Sequence, residues 1–317
     1  MNDQVQLLTD WEKAQSDRLL WGEFYLSDGL RSKLDCGPVH EADCGLGIDL
    51  LSLPVRGREG GDPYGRRTVC QNGLTTGVAP LQNADELYRY EWPGEKKILF
   101  PEELARDGGT KKKLLLLEGP MQLGSSLLPF EVWVTALVRD TDNLARALSA
   151  CTEHLVRLVQ NCPGTLAGVV LGDDVAGTGG PLYGPALLDR VYFPLLRQLV
   201  LALEPLPVVV HSDGDLRMLL PSYRDCGVAG IQSLERSAGM LPEELTEQYP
   251  DMLFWGGLSR EGLTGERSLL DRELDVLMTL RRQGARVMAG SCTGILDGEM
   301  DSDCLRFVGQ KLAGFMV

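Results

Sequence analysis

Apolar runs that end in polar clusters recur through much of this chain. Residues 166–174, 207–214 and 230–235 each begin with stretches rich in Val, Leu or Ile and end in acidic, imidazole, amide or hydroxyl side chains. Strands of a parallel sheet that is covered on both faces have this unbroken apolar character, and residues that do chemistry collect beyond their carboxyl ends. The pattern therefore predicts parallel strands whose ends open into a site.

Helical periodicity separates these runs. Apolar residues recur near 3.6-residue spacing from Pro185 to Leu203, and a shorter apolar face covers Asp215 to Cys226. Similar patterns predict helices from Glu266 to Gln283, from Asp303 to Gly314 and, before the first strand, from Val5 to Leu20. The chain thus alternates between strands and helices.

Counting the apolar runs gives eight predicted strands. Their centres are Trp21, Ile48, Leu115, Val169, Val209, Ile231, Phe254 and Val287. Eight strands with interleaved helices predict an α/β fold, a (β/α)₈ TIM barrel with its site at the carboxyl-terminal mouth. We expect one domain over residues 1–317, with strands, a hairpin at Thr68 to Pro80 and loops in residues 1–110, and the main repeats in 111–317. An open doubly wound sheet is the alternative, but no G-x-G-x-x-G motif follows a strand.

Composition and charge narrow the class of protein. The 317 residues are 44% hydrophobic and 24% charged, which is enough for a large core, and 31 Lys+Arg against 45 Asp+Glu give a formal charge of −14. Such a charge disfavours nucleic-acid and anionic-membrane partners. The polar amino terminus and the lack of a long apolar run predict a cytoplasmic protein. The eight cysteines form no CxxC pair, so we expect reduced thiols.

Five polar residues at predicted strand ends are candidates for catalysis: Asp173, Asp174, His211, Asp213 and Glu235. Either of the paired aspartates could act as a general acid or base if burial raised its pKa, or could instead cap the following loop. Glu235 could bind metal or substrate, or pair with a neighbouring arginine. Glu118 and Glu23 occupy similar positions with weaker support.

Several motifs together resemble a known family. They are Asp173-Asp174 ahead of Gly-Pro-Leu-Tyr-Gly-Pro, then Val-His-Ser-Asp-Gly-Asp, Leu-Glu-Arg-Ser-Ala-Gly-Met and Cys-Thr-Gly-Ile-Leu. The combination resembles the uroporphyrinogen decarboxylase superfamily, and more closely its branch of corrinoid-dependent methyltransferases. The resemblance implies a methyltransferase that moves a methyl group between a small methylated substrate and a corrinoid-binding partner protein.

The resemblance also implies a metal site. In zinc methyltransferases of the family, a His-x-Cys pair after a central strand and a cysteine near the last strand hold the ion; here these positions are His211, Asp213 and Cys292. Exchange of a thiolate for a carboxylate makes the ion harder and suits an oxygen or nitrogen leaving group. In the alternative, metal-free interpretation, His211 and Asp213 bind each other or a ligand, and Cys292 is a small core residue.

The sequence departs from true uroporphyrinogen decarboxylases near its start. These enzymes carry a Met-Arg-Gln-Ala-Gly-Arg-Tyr segment that binds substrate carboxylates, and nothing similar occurs from Trp21 to Arg31. An octacarboxylate substrate is therefore not expected in this acidic protein. Two further hypotheses stay open: a metal-free lyase or decarboxylase of the superfamily, and a non-catalytic barrel that binds a corrinoid or tetrapyrrole.

Overall fold

The computed structural model describes residues 18–36, 44–57, 61–71, 74–105 and 112–315. Its central sheet has eight parallel strands, and each strand pairs with the next one along the chain. The strands are β1 Gly22–Glu23, β2 Leu50–Pro54, β3 Lys112–Glu118, β4 Gly168–Gly172, β5 Val208–His211, β6 Gly230–Gln232, β7 Leu253–Leu258 and β8 Val287–Ser291.

The first and last strands meet and close the sheet. Trp21 forms a parallel bridge with Ala289, and the Ala289 N–H donates to the Leu20 carbonyl over 2.9 Å. The result is a (β/α)₈ TIM barrel, so the predicted fold is confirmed. Because all strands are parallel, their carboxyl ends meet at one mouth.

Helices form the outer layer of the barrel. They are α1 Asp28–Lys33, α2 Ala84–Tyr88, α3 Glu102–Ala105, α4 Pro120–Ser126, α5 Phe130–Arg139, α6 Thr141–Gln160, α7 Pro185–Leu187, α8 Phe193–Leu203, α9 Leu220–Asp225, α10 Pro242–Gln248, α11 Arg260–Leu263, α12 Arg267–Arg282 and α13 Ser302–Ala313, with a π-helical turn at Leu188–Tyr192 and 3₁₀ turns at Glu95–Lys97 and Arg236–Ala238. In the part of the chain that the structure describes, none of them has the length and apolar character needed to cross a bilayer.

Two sequence-based boundaries shift in the structure. The second strand begins at Leu50, so its predicted centre, Ile48, precedes it, because Asp49 is held beside Trp21 by a hydrogen bond from the Trp21 N–H to its carboxylate. The helix predicted from Asp215 begins only at Leu220, because the preceding residues form the loop at the barrel mouth. Most of the helix predicted before the first strand lies outside the described residues.

Short two-stranded ribbons decorate the barrel. The predicted hairpin is confirmed as Arg67–Gln71 paired antiparallel with Leu74–Val78, and it stands apart from the eight-stranded sheet. Further ribbons pair Arg56–Gly57 with Ile98–Leu99, Ala176–Gly177 with Gly180–Pro181, and Tyr25–Leu26 with Ile295–Leu296.

Apolar side chains fill the inside of the barrel. One buried cluster includes Leu20, Phe24, Leu50, Leu114, Val170, Val209, Ala229, Leu253, Trp255 and Met288. The Trp255 indole N–H donates to the Gly22 carbonyl over 2.9 Å. A Cβ at Gly290 would lie 2.5 Å from the indole nitrogen, so glycine is needed there. Trp255 therefore belongs to the core beneath the mouth.

A disulfide joins Cys36 to Cys44, with their Cα atoms 5.2 Å apart. The expectation of reduced thiols is wrong for this pair, because these two cysteines are eight residues apart and such spacing carries no disulfide motif that the sequence could have revealed. Cysteines described as free include Cys151, Cys226 and Cys292.

Candidate active site

The predicted site residues follow strands at the mouth of the barrel. His211 is the last residue of β5, Asp213 lies two residues beyond it, and Asp173 and Asp174 directly follow β4. Glu235 comes shortly after β6, and Cys292 directly follows β8. Parallel strand ends thus supply every candidate, but their side chains do not all meet.

Asp174, His211 and Asp213 form one compact group, named here the acidic cluster. The His211 Nε2 atom lies 4.0 Å from Oδ1 of Asp174 and 3.9 Å from Oδ1 of Asp213. One ligand atom from each residue lies within 4.8 Å of the other two, and no other described residues form such a group of three or more metal-binding side chains. The aspartate side chains are 44% and 46% exposed, so the cluster faces the mouth.

The imidazole of His211 is held from below. Its Nδ1 atom contacts Oε1 of Gln232, and the Gln232 side-chain nitrogen donates to the Ser291 carbonyl over 2.9 Å. The edge of the Phe24 ring packs against the imidazole with centroids 5.1 Å apart. These contacts fix the ring so that Nε2 faces the aspartates. Gln232 and Ser291 were missed by the sequence reasoning, because an amide and a hydroxyl at strand ends have no distinctive spacing.

Ser233 orients the second aspartate of the cluster. Its hydroxyl donates to Oδ1 of Asp213 over 3.2 Å, while its backbone has a φ of 86°. A positive φ is costly for a residue other than glycine, and such conformations concentrate at functional sites. Ser233 is fully buried and was also missed by the sequence reasoning. The Asp213 N–H in turn donates to Asp174 over 3.1 Å, which ties the two strand-end loops together.

Asp173 turns away from its neighbour and caps a helix. Its carboxylate accepts the N–H of Gln122 over 2.6 Å and that of Met121 over 3.4 Å, in the first turn of α4. A Cβ at Gly119 would lie 2.3 Å from this carboxylate, so only glycine permits the approach. Burial raises the pKa of Asp173 to about 8, although both N–H donors oppose the shift. The contacts are structural, and a catalytic role for Asp173 stays a prediction.

Glu235 and Cys292 bind backbone groups. Glu235 accepts the Gly214 N–H over 3.1 Å, and Arg236, its suggested partner, pairs with Glu243 instead. The Cys292 sulfur lies 3.4 Å from the carbonyl oxygen of Leu258, and burial raises the pKa of its thiol to about 12. Cys292 does not join the acidic cluster, where Asp174 stands as the third donor.

Two lower-ranked glutamates have different surroundings. Glu118 at the end of β3 accepts a hydrogen bond of 2.7 Å from the Arg66 guanidinium, which also binds Asp62 and the Ser126 hydroxyl. We name this group the Arg66 brace. Glu23 is fully buried, and burial raises its pKa to about 7 despite its hydrogen bonds to Trp21 and Ser291.

Comparisons with known proteins agree with this architecture. The family model described as uroporphyrinogen decarboxylase (URO-D) matches residues 114–296. Similar solved structures include a methyltransferase from Methanosarcina mazei, with a TM-score of 0.66 and 13% sequence identity over 93% of this chain and 94% of that chain. At this identity the likeness establishes the shared fold. No curated protein matches the sequence.

Proposed function

Since the chain belongs to the uroporphyrinogen decarboxylase family, we propose that it is an enzyme, a methyltransferase that moves a methyl group between a small methylated substrate and a corrinoid protein. The observation that carries the proposal is the acidic cluster of Asp174, His211 and Asp213 at the barrel mouth. The fold of the Methanosarcina mazei methyltransferase, which is similar over nearly the whole chain, supports it.

The donor set of the cluster fits a divalent cation. Imidazole nitrogen and carboxylate oxygen are ligand types that zinc takes, and catalytic zinc sites use three protein ligands and leave a fourth position open for the substrate. Asp174, His211 and Asp213 would hold the ion, and Asp174 takes the place first predicted for Cys292. When bound, zinc would polarise the heteroatom that carries the methyl group and stabilise the charge that develops on it.

The residues of this chain orient the substrate for transfer. In the demethylation direction the bond between the methyl carbon and the heteroatom would break with its electron pair left on the heteroatom, which takes up a proton when the substrate is neutral, and the partner's reduced corrinoid would accept the methyl group. The half-exposed aspartates face the mouth, where a docked partner protein would present its corrinoid. Phe24 and Trp255 close the floor, which keeps water from approaching from below.

The charge of the mouth selects against a polycarboxylate. Asp174, Asp213 and Glu235 lie at neighbouring strand ends, and a substrate with many carboxylates would be repelled by them. Arg66 adds one cation near β3, but it already binds Asp62 and Glu118. A neutral or cationic methylated compound fits this field better than uroporphyrinogen.

The test is methyl transfer to cobalamin. The full-length protein would be incubated with chemically reduced cobalamin and a panel of methylated amines, ethers and alcohols, and methylation would be followed by absorbance. We expect turnover with at least one donor class, lost in His211→Ala and kept in Asp142→Asn, a matched change at an aspartate that pairs with Arg190 on the surface.

Two outcomes would contradict the proposal. Decarboxylation of uroporphyrinogen at roughly one turnover per second or faster would assign the ordinary activity of the family. The protein could instead bind cobalamin, or a cognate corrinoid protein encoded nearby, tightly and yet show no methylation from any donor. That result would favour the non-catalytic barrel.

A further inference from the structure

A buried carboxylate connects the first strand of the barrel to the last. Glu23 in β1 accepts three hydrogen bonds: from the Trp21 indole N–H over 2.7 Å, from the Ser291 backbone N–H over 2.8 Å and from the Ser291 hydroxyl over 2.6 Å. Its side chain is fully buried. Ser291 is the last residue of β8, so Glu23 holds both polar donors of this strand end.

The Ser291 carbonyl then determines the orientation of the Gln232 amide. A carbonyl oxygen only accepts hydrogen bonds, so the group that lies 2.9 Å from it must be the Gln232 NH₂. The opposite end of the amide, Oε1, therefore faces Nδ1 of His211. Since Oε1 is also an acceptor only, the hydrogen between them must sit on Nδ1.

This orientation leaves the other ring nitrogen free to act as a base or ligand. With the hydrogen on Nδ1, the lone pair of the neutral imidazole lies on Nε2, which faces Asp174 and Asp213. We infer that Glu23 is a positioning residue that acts through Ser291 and Gln232 to hold His211 as the Nδ1–H tautomer, with Nε2 directed into the acidic cluster. The inference deepens the proposed function. It rests on that proposal only for the identity of the metal ion or substrate that Nε2 binds.

Closure of the barrel alone does not account for a carboxylate at this position. The bridge between Trp21 and Ala289 and the bond from Ala289 to Leu20 already join β1 to β8. All three donors to Glu23 are neutral, and a buried carboxyl group costs more free energy than a neutral acceptor would. The Glu23 carboxyl group is, however, placed to accept from both Ser291 donors at once, one on each oxygen, so the Ser291 carbonyl stays available to Gln232.

The tautomer of His211 can be measured directly. The sequence has three histidines, and long-range proton–nitrogen correlation spectra of the isotope-labelled full-length protein, with a chelator present, distinguish the two tautomers of each. The signals that disappear in His211→Gln assign His211. We expect the wild-type protein to show a single Nδ1–H tautomer at His211, and Gln232→Leu to lose it.

Variants of Glu23 separate positioning from stability. Glu23→Leu removes all three acceptor contacts and should produce a mixture of tautomers, whereas Glu23→Gln keeps an acceptor for the Ser291 N–H and should restore the Nδ1–H form. Glu273→Leu is the matched control, because Glu273 is also buried and accepts a backbone N–H, that of Ser259, over 3.0 Å. It should lower the melting temperature without changing the tautomer.

Clear results would overturn the inference. A wild-type His211 with its hydrogen on Nε2 would do so, and so would a folded Glu23→Leu variant with the single Nδ1–H tautomer intact. If Glu23→Leu does not fold, Glu23→Asp takes its place, since it withdraws the carboxylate from Ser291 but keeps the charge, and an unchanged tautomer there has the same meaning. No substrate is present, so a failure of methyl transfer leaves this result unaffected.

Discussion

At the ends of β4 and β5 the carboxylates of Asp174 and Asp213 face an imidazole, whereas at the end of β3 the carboxylate of Glu118 faces the guanidinium of Arg66. Both groups occupy equivalent positions in the barrel. In the Arg66 brace the negative charge is neutralised by a cation that also binds Asp62. In the acidic cluster the facing group is a histidine, which is charged only when it is protonated.

The difference shows that position at a strand end does not by itself make a carboxylate part of a site. A carboxylate with a permanent cation is already satisfied and has little to offer a ligand, while two carboxylates beside a neutral imidazole can bind a cation or take up a proton. The comparison can be tested by changing each group separately.

The largest effect is expected from the acidic cluster. His211→Ala and Asp213→Ala should each lower the rate of the proposed reaction by roughly 100- to 10,000-fold, since positioned acid–base groups contribute on this scale. The melting temperature should stay nearly unchanged, because these side chains serve the mouth more than the core. Steady-state kinetics and thermal unfolding of the same preparations check this. Extensive unfolding of the variants would instead give the residues a structural role.

The buried acids beneath the cluster should make stability depend on pH. Burial raises the pKa of Glu23 to about 7 and of Asp173 to about 8, so the folded protein keeps protons that the unfolded chain has released. The free energy of unfolding should therefore fall as pH rises from about 4 to about 8 and level off above pH 8. Glu23 should account for roughly 3 kcal/mol of this fall.

Denaturant titrations at several pH values measure how the free energy of unfolding changes with pH. Glu23→Gln cannot release a proton, so the slope of the free energy of unfolding against pH should become shallower. A free energy that rises with pH over this range in the wild-type protein would contradict the prediction.

The adjacent aspartates should separate binding from stability. Asp174→Asn should weaken Zn²⁺ binding by about 10-fold or more with little loss of stability, because it removes a charged ligand atom. Asp173→Asn should lower the free energy of unfolding by about 1 kcal/mol, as expected for a weakened helix cap, and leave Zn²⁺ affinity unchanged. Calorimetric titration with Zn²⁺ and denaturant unfolding of both variants measure these two effects. If Asp173→Asn weakened Zn²⁺ binding and Asp174→Asn lowered stability, the two roles would be exchanged.

The smallest effect is expected from the Arg66 brace. Arg66→Met removes its bonds to Asp62, Glu118 and Ser126, but the side chain is partly exposed, so the loss should be about 1 kcal/mol or less. The rate of the proposed reaction should stay the same. A loss of rate comparable to that of His211→Ala would show that the two halves of the mouth act together.

The sequence predicts the barrel well because each buried strand is a local apolar run. All eight strands occur in the predicted order, and only two predicted centres, Trp21 and Ile48, lie just before the strands assigned to them. The helix expected from Asp215 begins late because of a local competition: the Asp215 carboxylate accepts the N–H and the guanidinium of Arg217, two residues further on, within the mouth loop. The spacing of apolar residues, from which the helix was predicted, gives no indication of that competition.

The candidate site was predictable only in part. His211 and Asp213 stand directly beyond apolar runs, and the structure places them together with Asp174. Gln232 and Ser233 follow the next strand, and their contacts depend on the register between β5 and β6, which pairs His211 with Gln232. Register is a property of the assembled sheet, so a glutamine 21 residues away gives no local indication that it orients an imidazole.

Trp255 has a kinetic consequence. The indole and its neighbours fill the barrel below the mouth, with the indole N–H bonded to Gly22 and the ring packed against Phe24. In the part of the barrel that the structure describes, the site is then approached from the mouth, and the proposed small substrate and protein partner would share that approach. In the proposed reaction the small molecule has to bind before the partner protein docks over the mouth. Steady-state kinetics would then follow a compulsory-order mechanism.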